Sequence, residues 1–399
     1  MKNNSMYLPA YSLTGLSALE QGSKKFNSEE TFRFYNKNEN PCFEHKGLLI
    51  SAGHAYKKMD LKEKMNFDFD QAILLGDSGG YQIATGQIDP KSDYLEKIFN
   101  WLENNTNYAL NIDIPMYINK EGGVTSTLEE KLKISKNNYQ YFYNKQSGKT
   151  KYLNVLHGRT PADLELWYNE VCKDFDFDGG WGIGSANIDI FYILQSIFFL
   201  FKKEVFIKSR QQKLLHILGI SNPTNMIILE YIQKKFNEYG YNYQITFDSS
   251  TPDISAGMGN YILFIDFNKI TYLSISSNYK NMNISANLPC FCPVCSEVKF
   301  SDFYQEDKKG FKTLSYNHIS FHNLYQMLEY KKKVDAIINM NDKELYSNTF
   351  SKKIIYIFKI IDLLFSDIKN YNILLAEKFN IMSDRKSNYD FNLNKKRLF

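Results

Sequence analysis

The chain has 399 residues, 43% hydrophobic and 16% aromatic, with a formal net charge of +4. The length exceeds one average domain and suits a large barrel with appendages, and the apolar content is ample for its core. The small net charge excludes a global basic field, so a nucleic-acid partner needs a local basic patch.

The N-terminal "MKNNSMYLPAYSLTG" has no secretory apolar core. Eight short apolar segments then recur, most ending in small or polar residues: "MYLPAY" (6–11), "LLISAG" (48–53), "ILLGDSG" (73–79), "ALNIDIP" (109–115), "KYLNVLHG" (151–158), "DGGWGIGS" (178–185), "LLHILGIS" (214–221) and "NYQITFDSS" (242–250). Helical patterns such as "SDYLEKIFNWLENN" and "PADLELWYNEVCKDF" separate most of them. Eight strands alternating with helices predict a closed parallel (β/α)8 barrel, with an open doubly wound sheet as the alternative. Asp77, Asp113, His157 and Asp248 fall at strand C-terminal ends, the rim where such barrels build active sites. Gly79 and Gly80 after Asp77 admit positive φ or a close backbone approach.

The longest apolar stretch, "IFYILQSIFFLF" (190–201), is too short to span a bilayer and reads as a buried helix. "KKIIYIFKIIDLLF" (352–365) carries Lys359 and Asp362 at helical spacing and reads as amphipathic. A cytoplasmic protein with no membrane partner is expected. Residues 256–312 read as a β-rich insertion, and the chain is helical from about 313 to a polar, basic tail at 388–399. The expected division is 1–255 for the barrel, 256–335 for a metal-binding insertion with the last barrel helix, and 336–399 for a helical extension.

Of five cysteines, Cys290, Cys292 and Cys295 lie within six residues, which argues for a metal rather than a disulfide framework. Three thiolates select zinc over hard cations. His318 and His322, four apart on one helix face, both qualify as fourth ligand. A Cys3His set leaves no open position, so such a zinc is structural and a zinc hydrolase is excluded.

In order along the chain, "YLPAYSLTGL", "DSGGYQ", "DIP", "LHG", "DGGWGIGS", "FDSSTP", "CFCPVC" and "FHNLY" resemble the motifs of the tRNA-guanine transglycosylase superfamily over about residues 6–330. The resemblance implies a (β/α)8 barrel with a zinc insertion and a base exchange that replaces guanine in nucleic acid by a 7-deazaguanine, such as 7-cyano-7-deazaguanine. It makes Asp248 the nucleophile on C1′ and Asp77 the general acid/base. Asp113 becomes the acceptor for the guanine edge, and His322 the fourth zinc ligand beside Cys290, Cys292 and Cys295. His157 stands where the family has Gln and donates to guanine O6. Ser78, Gly79 and Tyr81 follow Asp77 in the family's best-known motif, with Tyr81 placed to stack on the base. Gly180, Trp181 and Gly182, with Gly179 and Gly184, correspond to a strand that lets a flat base lie against backbone.

The chemistry is consistent with those roles: one carboxylate traps an oxocarbenium-like centre while a second moves the proton of the leaving and entering bases. The target nucleotide must be flipped out of any helix to be reached. "FDSSTPDIS" lacks the arginine that follows the nucleophile in the tRNA enzymes. The chain resembles at least as well the compact branch, found in phages and bacterial defence clusters, that modifies DNA. DNA is therefore favoured over tRNA, and a homodimer is compatible with the chain. "KKEVFIKSRQQK" (202–213), "KQSGKTK" (145–151) and "KKK" (331–333) are candidate backbone contacts. The alternatives are a tRNA-guanine transglycosylase and a non-catalytic zinc-containing partner subunit, the latter disfavoured by the co-occurrence of Asp77, Asp113 and Asp248.

Overall fold

The structure, a computed structural model, describes residues 3–87, 93–118, 127–184, 189–206, 211–275, 286–305, 310–311 and 313–382. The eight apolar segments become strands β1 (Met6–Pro9), β2 (Gly47–Ser51), β3 (Ile73–Asp77), β4 (Tyr108–Leu110), β5 (Lys151–Leu156), β6 (Gly180–Ile183), β7 (Lys213–Ile217) and β8 (Tyr243–Ser249). They pair in parallel in the order β1-β8-β7-β6-β5-β4-β3-β2. A parallel bridge from Ala10 to Leu49 spans the remaining gap, so the sheet is a nearly closed barrel. An open doubly wound sheet would reverse its strand order at a switch point. Here consecutive strands are neighbours all the way round.

Each strand serves two layers because side chains alternate with period two. Leu8, Leu49, Leu75, Leu110, Leu153, Val155 and Leu214 form a cluster of their own inside the barrel. Their neighbours in sequence, such as Leu48, Leu74 and Leu215, join the larger core beneath the helices. In β3 this parity puts Leu75 and Asp77 on the lumen side and Gly76 toward the helices. A Cβ on Gly76 would stand 2.3 Å from Leu102 Cδ2, so the helix Tyr94–Asn105 packs close because that position has no side chain.

Local chemistry starts the helices where the strands end. Thr127 and Glu130 form a capping box on the helix Leu128–Lys145. Thr160 and Asp163 form another on Pro161–Trp167, whose proline occupies the first turn. The helix Ile190–Lys202 is buried on nearly every side because C-terminal helices cover its outer face. Tyr371–Ala376 and Lys378–Met382 pack along it, and Lys352–Ser366, which lies chiefly on Pro223–Tyr239, reaches it near its C-terminal end. Phe365 of that last helix meets the rings of Phe198 and Phe201 at 5.4 and 5.2 Å. Lys359 on the same helix is exposed and Asp362 is half-buried, as its amphipathic pattern requires.

Between the helices Thr251–Gly257 and Thr313–Asn339 lies the insertion. It opens with an antiparallel hairpin of β9 (Asn260–Ile265) and β10 (Ile270–Ser274). The helix Thr313–Asn339 runs unbroken past residue 335, with Val334 and Ile338 fully buried. It ends only where Asn341 turns to a φ of 55°. No glycine or proline interrupts the helical period before Asn339, so this helix continues across position 335. The basic tail at 388–399 lies outside the described residues. Among the described residues no helix is long and apolar enough to cross a membrane.

Candidate active site and metal centre

A cavity of about 420 Å³ opens at the C-terminal rim of the barrel. It is lined by Leu49, Asp77, Gly80, Tyr81, Gln82, Asp113, Pro115, Tyr117, Ile118, His157, Arg159, Gly184, Leu218, Gly219 and Asp248. Its walls are the loops after β3, β4, β5, β6 and β7 and the end of β8. Three carboxylates from three strands thus share one space.

Asp77 and Ser51 are register partners at the ends of β3 and β2. The Ser51 hydroxyl and, at 3.4 Å, the Gly79 amide donate to the Asp77 carboxylate. Burial nevertheless raises the Asp77 carboxyl above its ordinary range, and the charges of Asp248 and Asp113 push the same way. A carboxyl whose affinity for a proton is raised by its surroundings is better suited to proton transfer than an ordinary exposed aspartate.

Asp113 follows β4 in the loop that the helix Leu128–Lys145 buttresses, where Ser135 Oγ accepts the Ile114 amide at 2.9 Å. Its Oδ2 lies 2.5 Å from His157 Nε2, and both side chains are buried. The His157 ring packs edge-on against Trp167 at 4.7 Å. A Cβ on Gly184 would stand 2.2 Å from its Cε1, so the glycine after β6 makes room for the imidazole.

Asp248 ends β8 with its side chain 15% exposed. Its Oδ1 accepts the Gly219 amide at 2.8 Å and lies 3.3 Å from His216 Nε2. Oδ2 takes no hydrogen bond from the described residues.

The structure brings Asp77, Tyr81, Asp113, His157 and Asp248 together and sets five other expected residues apart. Ser78 is buried, and its hydroxyl donates to the Asn111 carbonyl, which ties two rim loops together. Gly79 has φ of 86°, and a Cβ there would meet Gly53 Cα at 2.8 Å, so its freedom serves the loop. Gly180 presses on the Leu214 carbonyl of β7, 2.1 Å from where a Cβ would be. Trp181 points outward to the helices and stacks on Tyr168 at 6.1 Å. Gly182 faces the lumen against Leu110. The glycines of β6 therefore allow strands and lumen side chains to pack, and none of Gly179, Gly180 and Gly182 lines the cavity. Gly80 does line it, yet a Cβ there would strike the Asp113 carbonyl oxygen at 1.9 Å rather than a base. Tyr81 is 55% exposed beside the cavity, an aromatic face with no ring partner in the core.

Sequence reasoning missed Arg159, Tyr117, Gln82 and His216. Arg159 carries the one fixed positive charge among the described lining residues, and its guanidinium lies over the Tyr117 ring at 4.5 Å. It stands two residues after His157, so the "LHGR" stretch carried the signal. His216 shares lumen parity with Leu214 and Leu218, and a lone imidazole on a leucine face was legible in "LLHILGIS".

The expected basic patches are largely occupied. Lys331 is buried with Glu230 at 2.9 Å and also pairs with Asp335. Lys332 pairs with Glu329 at 2.7 Å, and Lys333 lies over Phe267. Lys203 pairs with Glu165 at 2.5 Å, and Lys145 and Lys151 lie over Tyr141 and Tyr108. Part of the 202–213 segment, residues 207–210, lies outside the described residues.

In the insertion, ligand atoms of Cys290, Cys292, Cys295 and His322 all lie within 4.8 Å of one another, so the cluster could hold a metal ion. Tetrahedral zinc at sulfur distances of ~2.3 Å needs ligand separations of ~3.5–3.8 Å, and this set is close to that spacing. His322 Nε2 donates to the Ile262 carbonyl at 2.8 Å, which leaves Nδ1 with its lone pair toward Cys292 and Cys295 at 3.4 and 3.1 Å. Tyr261 stacks on the His322 ring at 3.7 Å and brings its hydroxyl 3.0 Å from Cys295 Sγ. His318 is not part of the set. It sits among Phe26, Phe32 and Phe303 with neither nitrogen bonded to a described residue, and burial pushes its imidazole down to about 3.

No protein-family model matches the chain, and no curated protein sequence matches it.

Proposed function

We propose that the protein is a base-exchange guanine transglycosylase acting on nucleic acid, with DNA as the favoured polymer and a 7-deazaguanine such as 7-cyano-7-deazaguanine as the entering base. The observation that carries this reading is the convergence of Asp77, Asp113 and Asp248 on one rim cavity, in the order and strand positions that the sequence resemblance requires. The cavity volume is in the range of small-molecule sites and accommodates a flipped-out nucleoside.

Asp248 attacks C1′ through its unbonded oxygen and forms a covalent glycosyl–enzyme bond. Asp77 gives its proton to the departing guanine and later takes one from the entering base. Asp113 accepts from the adjacent N–H and amino donors of the guanine edge, and Tyr81 offers its ring to the base face. The bond is exchanged rather than hydrolysed, so no nucleotide triphosphate is consumed. The metal of the Cys3His cluster is zinc in a structural role, holding the insertion to the helix Thr313–Asn339.

The test is incorporation of labelled guanine or 7-cyano-7-deazaguanine into duplex DNA and, separately, into tRNA. Labelled DNA supports the full reading. Labelled tRNA with blank DNA keeps the chemistry and reverses the polymer. No label in either polymer overturns the reading. Asp248→Asn should abolish the covalent adduct seen on denaturing gels with nucleic acid and 9-deazaguanine.

A further inference from the structure

We propose that His216 is a positioning residue for Asp248: it holds one carboxylate oxygen while the other attacks C1′. This rests on the base-exchange reading above. His216 lies on β7, fully buried in the barrel lumen. Its Nδ1 is 3.0 Å from Thr246 Oγ1, and its Nε2 is 3.3 Å from Asp248 Oδ1. Thr246 is its register partner on β8, and Asp248 follows two residues later on the same lumen face. The imidazole therefore bridges two successive lumen side chains of β8.

Two observations separate this from an ordinary core histidine. The apolar side chains around it in the lumen are mostly leucines, with Val155, so an imidazole at this position is not needed for apolar packing. Its Nε2 is buried and is not aligned for a hydrogen bond with any described residue, although the Asp248 carboxylate is within reach. Orphaned buried donors are rare in native proteins. Contacts of catalytic groups are often loose in the free enzyme and close when substrate binds.

In the arrangement proposed for the substrate-bound state, the Thr246 hydroxyl donates to Nδ1, the proton sits on Nε2, and the ring turns to align that N–H with Asp248 Oδ1 3.3 Å away. The Gly219 amide already donates to that oxygen. With two N–H donors directed at Oδ1, Oδ2 is the oxygen that bonds to C1′ as the C1′–N bond breaks and the base takes the Asp77 proton. Oδ1 becomes the ester carbonyl. In the second half the entering nitrogen attacks C1′ and the Oδ2–C1′ bond breaks, its electron pair returning to the carboxylate. Asp77 then takes the base proton. The returning charge spreads onto Oδ1, where the two donors meet it, so His216 contributes most to breakdown of the intermediate.

The experiment uses the full chain with a duplex oligonucleotide, measuring single-turnover exchange, adduct formation and oligonucleotide Kd separately. His216→Leu should slow exchange by about 100-fold with Kd changed by no more than about twofold. His216→Gln, whose amide N–H replaces the Nε2 donor, should recover to within about tenfold of wild type. A long-range ¹H–¹⁵N spectrum of ¹⁵N-histidine-labelled wild type, assigned by the signal lost in His216→Gln, should show the Nε2–H tautomer. The proposal is overturned by an Nδ1–H tautomer, by wild-type exchange in His216→Leu, or by a His216→Gln enzyme as slow as the leucine variant. If His216→Leu fails to fold, the glutamine variant and the tautomer decide. Wild type that forms no adduct with any nucleic acid overturns the base-exchange reading as well. An adduct in wild type with an indifferent leucine variant removes only the role of His216.

Discussion

His157 Nε2 lies 2.5 Å from Asp113 Oδ2, which joins the residue after β5 to the loop after β4 at the floor of the cavity. In the sequence the two are separate rim residues, each free to face a base. The contact instead makes the histidine the partner that fixes the carboxylate, so Asp113 meets a ligand with one oxygen already committed.

Asp113→Asn should weaken guanine binding by about 2 kcal/mol, roughly 30-fold, because an amide donor then faces the donors of the base. His157→Gln should retain much of the affinity by still donating to Asp113, whereas His157→Leu should lose about as much as Asp113→Asn. Calorimetric titration of guanine into each variant measures this. Full affinity in Asp113→Asn would show that the carboxylate does not contact the base edge.

Asp77 should cost stability at neutral pH. Its folded-state pKa is raised, chiefly by burial, so folding favours the protonated form. That contribution is fully present below the unfolded value of about 3.9 and is lost as pH rises through the folded pKa. Asp77→Asn should therefore melt at a higher temperature than wild type at pH 7, and the gap should shrink as pH falls toward 4. The same substitution should slow base exchange by about 10²–10⁴-fold with nucleic-acid binding retained. Thermal melts across pH and single-turnover rates check both halves. A gap that widens toward acid would reverse the sign.

Two glycines should fail in different ways. Gly80→Ala places a methyl 1.9 Å from the Asp113 carbonyl oxygen, a backbone atom. The helix Gly80–Ala84 must then shift, at a cost of about 2 kcal/mol or more. Gly184→Ala meets the His157 ring, a side chain rather than backbone. It should cost less in stability and more in base binding, because the Asp113 contact breaks. Urea denaturation beside guanine titration distinguishes the two, and equal stability losses would sink the contrast.

Freshly purified protein should carry one zinc per chain, read by elemental analysis. Cys292→Ala should destabilise the fold by about 4 kcal/mol or more, since metal binding is folding energy at such a site. The expected loss includes the docking of β9 through His322 Nε2 on the Ile262 carbonyl. A zinc-free preparation with an unchanged melt would remove the structural metal.

What the sequence determined by itself is whatever is carried by local pattern. Eight apolar segments with small or polar exits were enough for the barrel, because strand length and period two are written in neighbouring residues. Three cysteines in six residues announced a cluster that could hold a metal ion, because ligand spacing within a loop is also local. Asp77, Asp113, His157 and Asp248 could be placed at strand ends for the same reason. Which of their neighbours reach the cavity was decided only by the closed barrel. Trp181 and Gly182 are adjacent in sequence, yet one faces the helices and the other the lumen, and neither faces the site. The pairings of His157 with Asp113 and of His216 with Asp248 cross between strands 44 and 32 residues apart. Only register and strand order set such distances, and the period along one strand carries no information about the depth of the strand beside it.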